Sequence, residues 1–370
     1  MKVLVTGGAG FIGSFIVDAL VQKGHEVTIF DNLDPQIHPD GQRPDYLNAA
    51  ARFVHGDVRD YEAFHQVIGD AEVIFHEAAA VGVGQSQYEI KKYVDVNVGG
   101  TANLLDILVN HKHQVRKIMV AASMSSYGEG LYQCDEHGPI RPELRTEEQM
   151  RARDWEQHCP LCHALVQPVP TPESAILYSN SIYAQTKKDQ EEMVLNIGRT
   201  YNLPVVALRY FNAYGPRQSL SNPYTGVMAI FISRLKNDQP PVIYEDGLQT
   251  RDFVSVHDIV QANMLAMERD EANYEVFNVG GGNPVTIQDI AMHSARLLRK
   301  HIEPDITMKF RKGDIRHCIS DISRIEQKLD FEPQVAFDDG LREVIEWSYG
   351  AQAKDLFEDA TQKLRDKGLV

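Results

Sequence analysis

The sequence has few cysteines, no long hydrophobic run and no excess of positive charge. Four cysteines in 370 residues are too few for a disulfide framework, so clustered cysteines point to metal or redox chemistry. No apolar run approaches the roughly 18 residues of a membrane span, and the apolar segment 3–5 leaves no room for a signal peptide before it. The formal net charge of −15 argues against general affinity for nucleic acid or anionic membranes. We therefore expect a cytoplasmic protein that binds anionic ligands through a few local arginines.

Short apolar runs alternate with helical patterns in the first half of the chain. The predicted strands are 2–6, 26–30, 52–55, 72–76, 117–122 and 204–209. The predicted helices include 11–23, 61–68 and 96–110. This alternation predicts an α/β fold with a doubly wound parallel Rossmann sheet, whose ligands bind at the carboxyl ends of the strands.

A glycine-rich turn joins the first predicted strand to the first predicted helix. Gly7, Gly10 and Gly13 allow a tight turn, close approach of a pyrophosphate and close helix packing. The helix N-terminus then offers free N–H groups to the phosphates. Asp31 ends the second strand, where a carboxylate accepts both ribose hydroxyls and repels a 2′-phosphate, so NAD is predicted over NADP. Asp57 follows the third strand and is a candidate for the adenine edge. The alternatives are glycines of a plain turn and a solvated Asp31.

The regular alternation of predicted strands and helices becomes weaker after residue 215, where proline and glycine turns become frequent. We predict an NAD-binding Rossmann domain at 1–214 and a smaller C-terminal substrate-binding lobe at 215–370, with 251–282 returning to the Rossmann core. Residues 130–172 are polar, contain prolines and carry three of the four cysteines. We interpret them as a cysteine-rich insertion too polar to form its own core.

A tyrosine and a lysine four residues apart provide the candidate acid/base. Tyr183 and Lys187 lie one turn apart on one face of a predicted helix. A lysine ammonium favours the phenolate and lowers the pKa of the tyrosine toward a useful value. On an arbitrary helix this spacing would indicate only a surface pair.

Several motifs accompany this pair along nearly the whole chain outside the insertion. They are the glycine turn, 76–80, 97–101, the strand end 123–128, Tyr183 with Lys187, 209–217, 251–254 and 278–280. Together they resemble the extended short-chain dehydrogenases/reductases, the NAD-dependent nucleotide-sugar epimerases and dehydratases. The resemblance implies a tightly bound NAD, a nucleotide diphospho-sugar substrate and a homodimer formed through helices such as 96–110 and 181–200.

The resemblance also implies roles for individual residues. Tyr183 would be the acid/base, Lys187 would bind the nicotinamide ribose, and Ser123 would hydrogen-bond the reacting sugar hydroxyl. The implied cofactor-binding residues are Gly7, Gly10, Phe11, Ile12, Gly13, Asp31, Asn32, Asp57, Val58, Ala78, Ala80, Asn97, Tyr183 and Lys187. The implied substrate-binding residues are Ser123, Ser125, Asn212, Gly226, Val227, Arg251, Arg311 and Asp314, the two arginines at phosphate and Asp314 at the nucleoside ribose.

Two positions after Ser123 distinguish the possible reactions. Sugar 4,6-dehydratases of the family typically carry Asp-Glu there, which supply the acid and base for elimination, whereas this chain has Met124 and Ser125. Neither side chain shuttles protons at neutral pH, which argues against dehydration. We expect 4-epimerisation through a transient 4-keto sugar. A nucleotide-sugar dehydrogenase or reductase, and a scaffold that only senses NAD, are the alternatives.

The insertion contains two closely spaced pairs of metal-ligand residues. Cys134 and His137 form one pair, and Cys159 and Cys162 form the other about twenty residues later. Four such ligands predict a tetrahedral structural Zn²⁺ site; a redox pair with an uninvolved histidine is the alternative. Within the family, the insertion and its flanks resemble enzymes that convert dTDP-L-rhamnose to dTDP-6-deoxy-L-talose. UDP-glucose and UDP-glucuronate are the alternative substrates.

Overall fold

The computed structural model describes residues 1–224 and 226–370. Its strands are β1 (Lys2–Thr6), β2 (Glu26–Asp31), β3 (Arg52–His55), β4 (Val73–His76), β5 (Lys117–Ser123), β6 (Leu131–Cys134), β7 (Gly138–Ile140), β8 (Gln167–Val169), β9 (Val205–Tyr210), β10 (Asn212–Tyr214), β11 (Val242–Ile243), β12 (Thr250–Ser255), β13 (Glu275–Val279), β14 (Pro284–Thr286), β15 (Asp305–Ile306) and β16 (His317–Cys318).

The helices connect these strands. They are α1 (Phe11–Gln22), α2 (Tyr61–Ile68), α3 (Val83–Ser86), α4 (Ile90–Tyr93), α5 (Gly100–Asn110), α6 (Glu147–Arg151), α7 (Ile182–Tyr201), α8 (Val227–Lys236), α9 (Val256–Glu268), α10 (Ile287–Leu297), α11 (Ser323–Leu329), α12 (Phe337–Ser348) and α13 (Phe357–Asp366). None of them, within the described part of the chain, is both long and apolar enough to cross a membrane.

A seven-stranded parallel sheet forms the centre of the fold, in the order β13-β9-β5-β4-β1-β2-β3. Its central strands are almost wholly buried, because helices cover both faces and apolar side chains pack on each of them. The strand order reverses between β1 and β4, which opens a crevice at their carboxyl ends. The prediction of a doubly wound Rossmann sheet is confirmed.

The C-terminal half builds a second, smaller layer beside this sheet. β12 pairs in parallel with β10 and β16 and antiparallel with β14, and α8, α10 and α12 share a separate apolar core. Within residues 251–282, β13 belongs to the central sheet and α9 packs on that sheet's core, whereas β12 belongs to the second sheet.

The helix expected at 96–110 begins differently. Residues Val94–Gly99 form a π-helical turn, and the α-helix starts only at Gly100. A Cβ at Gly100 would lie 2.6 Å from a methyl carbon of Val58, so glycine is needed for this close approach. π-Helical turns inside helices often occur at functional sites, and this one places Asn97 behind the crevice.

The insertion is more ordered than its composition predicts. β6 pairs with β7 and with β8 in an antiparallel sheet, and Tyr132, Cys134, Cys159 and Val166 form a small buried cluster. The expectation that the segment is too polar for a core of its own is therefore wrong. A few apolar side chains suffice here because the cysteines themselves occupy the interior.

Candidate active site

A cavity of about 520 Å³ lies at the carboxyl ends of the central strands. It lies at the crevice where the strand order reverses, the usual ligand position in such sheets. The residues predicted to bind cofactor or substrate that line it are Gly7, Gly10, Phe11, Ile12, Gly13, Asp31, Asn32, Asp57, Val58, Ala78, Ala80, Ser123, Ser125, Tyr183, Lys187, Asn212 and Gly226. Among the described residues, Asn97, Val227, Arg251, Arg311 and Asp314 lie outside its lining.

The glycine turn has the close packing that a dinucleotide-binding loop requires. Gly7 has a positive φ of 67°, and a Cβ there would lie 2.7 Å from the backbone nitrogen of Ala78. A Cβ at Gly13 would lie 2.3 Å from the carbonyl oxygen of Gly7. The first turn of α1 therefore sits against the loop, and its N–H groups face the cavity where a pyrophosphate would bind.

Asp31 is held rigidly at the edge of the cavity. One carboxylate oxygen accepts the backbone N–H of Ala9 at 3.0 Å and the other accepts that of Leu33 at 2.9 Å. Each oxygen keeps a second lone pair, so both remain able to accept a ribose hydroxyl. Its position and orientation fit the ribose role predicted from the sequence.

Asp57 is charged over the whole physiological range. Burial opposes its charge, but hydrogen bonds from Arg59 and Asn32 lower the pKa of the carboxyl to about 2. The Asn32 amide donates to Asp57 at 2.8 Å and its oxygen accepts the N–H of Asp34 at 3.1 Å. These bonds fix the loop after β2 against the loop after β3.

The candidate acid/base lies at the base of the cavity. Ser123 ends β5, Tyr183 lies in the first turn of α7, and the backbone N–H of Tyr183 donates to Ser86 at 3.0 Å. Burial raises the pKa of Tyr183, and a hydrogen bond with Ser123 partly offsets this effect. The hydroxyls of Ser123 and Ser125 are 2.8 Å apart, so both face the same reacting position.

Lys187 lies one turn along α7 and is buried. Its ammonium donates to the carbonyl oxygen of Ala121 and to the side-chain oxygen of Gln190, both at 2.8 Å. Burial lowers the pKa of this lysine to about 8, and Glu77 raises it. These hydrogen bonds tie the lysine to β5 and to the next turn of α7.

The sequence analysis did not single out Glu77 as a site residue. Glu77 follows β4, lines the cavity and accepts a hydrogen bond from the Tyr210 hydroxyl at 3.1 Å. It lies within the 76–80 motif, so an acidic residue directly after a strand at the cofactor crevice was the available signal.

Arg251 is preorganised by the backbone around it. Its guanidinium donates three N–H bonds of 2.7–3.0 Å, to the carbonyl oxygens of Thr250, Ile315 and Arg316. Of its five N–H donors, the Nε–H and one terminal N–H on the same edge remain for a ligand. That edge has the geometry for bidentate binding of a phosphate.

Arg311 and Asp314 contact each other. The Arg311 Nε donates to the Asp314 carboxylate at 2.8 Å, and its guanidinium lies 4.8 Å from the centre of the Tyr244 ring. The predicted phosphate-binding residue and the predicted ribose-binding residue thus form one ion pair.

Asn97 is positioned behind the cavity surface, and Val227 lies outside the cavity lining. The Asn97 amide is fully buried, accepts the N–H of Ala80 at 2.8 Å and donates to the hydroxyl of Thr186 at 3.0 Å. It holds the loop after β4 against α7. Val227 begins α8.

The four predicted metal ligands lie together in the insertion. The ligand atoms of Cys134, His137, Cys159 and Cys162 are all within 4.8 Å of one another. The Sγ atoms of Cys134 and Cys162 are 3.7 Å apart, and the His137 Nδ1 lies 3.6 Å and 3.5 Å from Cys134 and Cys159. Tetrahedral zinc, with Zn–S of about 2.3 Å and Zn–N of about 2.0 Å, separates its sulfurs by about 3.8 Å and sulfur from nitrogen by about 3.5 Å. The donor set fits zinc.

Buried ion pairs connect the insertion to the segment that contains Arg311 and Asp314. Arg145 donates to the carbonyl oxygen of Asp314 at 3.2 Å. Arg316 is fully buried. Its guanidinium donates to Glu156 of the insertion at 2.5 Å and to Asp246 at 2.7 Å. Among the described cavity-lining residues, none comes from 130–172, so the insertion contacts the C-terminal half and forms no wall of this cavity.

Models of two protein families match the chain. The NAD dependent epimerase/dehydratase family matches residues 3–148, and GDP-mannose 4,6 dehydratase matches residues 164–344. Among curated proteins, dTDP-L-rhamnose 4-epimerase from Burkholderia thailandensis is 36% identical over 94% of both chains. UDP-glucuronate 4-epimerase from Thermodesulfobacterium geofontis is 28% identical over 93% of this chain and 95% of its own.

Solved structures of similar proteins have the same architecture. UDP-glucose 4-epimerase from Thermotoga maritima, solved with UDP-glucose, has a TM-score of 0.77 at 30% identity and covers 95% of this chain and 99% of its own. UDP-glucuronic acid 4-epimerase from Bacillus cereus, solved with UDP-glucuronic acid and NAD, has a TM-score of 0.75 at 25% identity with the same coverage. The resemblance in the motifs is thereby confirmed, and this chain belongs to the NAD-dependent epimerase/dehydratase family of the extended short-chain dehydrogenases/reductases.

Proposed function

We propose that the protein catalyses NAD-dependent 4-epimerisation of a nucleotide diphospho-sugar through a transient 4-keto intermediate. The observation that carries this proposal is the grouping of Ser123, Tyr183 and Lys187 in one cavity with the glycine turn. These groups supply a proton shuttle beside a dinucleotide site. The relatives named above, 4-epimerases acting on several nucleotide sugars, support the same reaction class.

In this proposal Tyr183 takes the proton of the 4-hydroxyl and later returns it to the same oxygen, after the 4-keto sugar has turned over so that its other face receives the hydride. Ser123 orients the hydroxyl, and the charge of Lys187 opposes the effect of burial on the tyrosine pKa. A bound NAD, held by the glycine turn and Asp31, would supply reversible hydride transfer at C4. Because the cofactor is regenerated in each cycle, we expect it to stay bound.

The residues after Ser123 support epimerisation over dehydration. Met124 is buried and carries no titratable group, and the Ser125 hydroxyl is paired with Ser123. Elimination of water needs an additional acid and base next to the sugar, and these two positions provide neither.

The substrate that we propose is dTDP-L-rhamnose, with dTDP-6-deoxy-L-talose as the product. The 36% identical relative, whose name states this substrate, and the resemblance of the insertion support this choice. We propose that the N–H groups of Arg251 that make no hydrogen bond to the backbone bind the diphosphate. We propose that Arg311 binds the diphosphate as well.

A panel of nucleotide sugars tests this proposal. Purified protein is incubated with dTDP-L-rhamnose, UDP-glucose and UDP-glucuronate, and the products are identified by NMR. We expect the 4-epimer of dTDP-L-rhamnose to form fastest, with no net change in NAD. A faster reaction with a UDP-sugar would contradict the substrate, and an unsaturated or oxidised product would contradict the reaction.

We further propose that Cys134, His137, Cys159 and Cys162 bind one structural Zn²⁺. The separations of their ligand atoms support this. Four protein ligands fill a tetrahedral shell, so we assign the metal no part in the chemistry.

A homodimer is the assembly we propose. α5 and α7 lie side by side, and Ala102, Val109, Met193 and Ile197 line a shallow depression between them. A second copy of the chain that applies the same helices would cover this surface in a symmetric four-helix contact. Light scattering should give twice the chain mass, and Met193→Glu should give the mass of one chain if this face is the interface.

A further inference from the structure

Glu77 occupies a position that the mechanism above does not use. It directly follows β4, and its backbone N–H donates to the carbonyl oxygen of Thr6 at 3.2 Å, which continues the pairing of β4 with β1. On the other side, the register of β4 with β5 pairs His76 with Val120. Glu77 is therefore opposite Ala121, whose carbonyl oxygen accepts a hydrogen bond from Lys187.

A directed chain of hydrogen bonds ends on the Glu77 carboxylate. The Asn263 amide nitrogen donates to the carbonyl oxygen of Ile259 at 2.8 Å, which identifies that atom as nitrogen, and also to the Tyr210 hydroxyl at 2.8 Å. The Tyr210 hydroxyl, having accepted there, donates its own proton to Glu77 at 3.1 Å. Glu77 is thus the acceptor at the end of the chain, as a carboxylate requires.

The other titratable groups around Glu77 leave Lys187 as its cationic partner. Burial raises the pKa of Glu77 to about 7, and Lys187 and Tyr210 lower it. Burial raises the pKa of Tyr210 far above its ordinary value, so this phenol is neutral. His76 bonds to Thr6 and Thr101, and burial lowers the pKa of the ring to about 3, so it is neutral too.

We infer that Glu77 is a positioning residue that keeps Lys187 in its charged form beside Tyr183. A buried lysine without a counter-charge loses its proton near neutral pH, and a neutral lysine does not favour the phenolate of the tyrosine. The carboxylate at the end of the Asn263–Tyr210 chain provides that counter-charge next to Ala121, whose carbonyl oxygen accepts the Lys187 hydrogen bond. This inference rests on the proposed roles of Tyr183 and Lys187.

A double-mutant cycle tests the pair without any substrate. Thermal unfolding of the NAD-loaded protein is compared for wild type, Glu77→Gln, Lys187→Met and the double variant. Glutamine keeps the shape and accepts the Tyr210 hydrogen bond, so only the charge changes. We expect each single variant to lower the unfolding midpoint and the double variant to lose clearly less than the sum. Additive losses would overturn the inference.

A pH–rate profile is the second measurement. Because an opposite charge at short range shifts a pKa by about one unit or more, Glu77→Gln should move the alkaline limb to lower pH by about that amount. Tyr210→Phe, which keeps the carboxylate, should move it less. An unchanged limb in Glu77→Gln would overturn the inference. The two proposals can also fail separately. If the wild-type protein is inactive but the double-mutant cycle is non-additive, the proposed reaction is contradicted and the Glu77–Lys187 pair is supported.

If Glu77→Gln does not fold, Tyr210→Phe takes its place in the pH–rate profile. The Tyr210 hydrogen bond lowers the pKa of Glu77, so its loss leaves less of the carboxylate charged and should still move the alkaline limb to lower pH. An unchanged limb in Tyr210→Phe would then overturn the inference.

Discussion

Arg145 and Glu245 form a bidentate ion pair, and both side chains are almost completely buried. The two terminal nitrogens of Arg145 donate to the two carboxylate oxygens of Glu245 at 2.8 Å and 2.9 Å, and the side chains are 0% and 3% exposed. Arg145 lies in the insertion and Glu245 in the C-terminal half, 100 residues apart in the chain. This pair links the proposed zinc loop to the segment with the proposed nucleotide-binding residues.

Breaking this pair from one side should be costly. Removal of one partner of a buried ion pair leaves an uncompensated charge and typically costs about 3–5 kcal/mol. Arg145→Met should therefore lower the free energy of unfolding by that order and raise the KM for the nucleotide sugar, because Asp314 also loses a hydrogen bond. Arg151→Met, at an exposed pair of the same insertion, is the control. Equal effects of the two variants on stability would contradict the prediction.

Tyr183→Phe should abolish most of the turnover while the cofactor stays bound. A positioned proton shuttle contributes about 100-fold or more, and the phenylalanine ring fills the same space. Bound NAD is measured after acid release and turnover by NMR. Tyr93→Phe is the matched control, since that hydroxyl bonds to Gln85 and has no proposed role. Near-wild-type turnover in Tyr183→Phe would refute the acid/base assignment.

Turnover in deuterated water should leave the sugar C4 unlabelled. In the proposed mechanism the C4 hydrogen would leave and return as a hydride that does not exchange with water, and Tyr183 would carry only the hydroxyl proton. Mass spectrometry and NMR of the product measure the label. Deuterium at C4 would exclude a returned hydride and favour removal of a carbon-bound proton.

Metal analysis should find about one zinc per chain. The metal should be lost in the double variant Cys159→Ser with Cys162→Ser and retained in Cys318→Ser, a buried cysteine outside the cluster. The double variant should keep NAD, because the glycine turn lies on other elements, and should bind substrate more weakly through the Arg145 contacts. Metal-free wild-type protein, prepared without chelators, would rule out the site.

The acid side of the stability profile should depend on Glu156. Hydrogen bonds from His317 and Arg316 outweigh partial burial and lower the pKa of this carboxyl from 4.5 to about 2. A lowered folded-state pKa means that the stabilisation is present above pH 4.5 and is lost as the pH falls toward 2. The difference in unfolding midpoint between wild type and Glu156→Gln should shrink over that interval. Glu148→Gln, at an exposed position, should show no such trend.

The sequence by itself determined the Rossmann sheet, the family and the positions of the glycine turn, Tyr183 and the four predicted metal-ligand residues. These features are local: a period in hydrophobicity, a strand–turn–helix with three glycines, a spacing of four on a helix, and two short ligand pairs. Each places its side chains through backbone geometry within a few residues. Such patterns are readable without knowing what packs against them.

The tertiary structure alone decided how distant charges meet. Glu77 and Lys187 come from β4 and α7 and converge only because β4 and β5 are neighbours in the sheet. Arg145 contacts Glu245 only because the insertion folds onto the C-terminal half. The insertion's own core was also missed, because its cysteines were counted as ligands and not as buried side chains. The interaction energy of two buried charges depends on their distance in space and on the exclusion of water around them. The number of residues between them in the sequence indicates neither quantity.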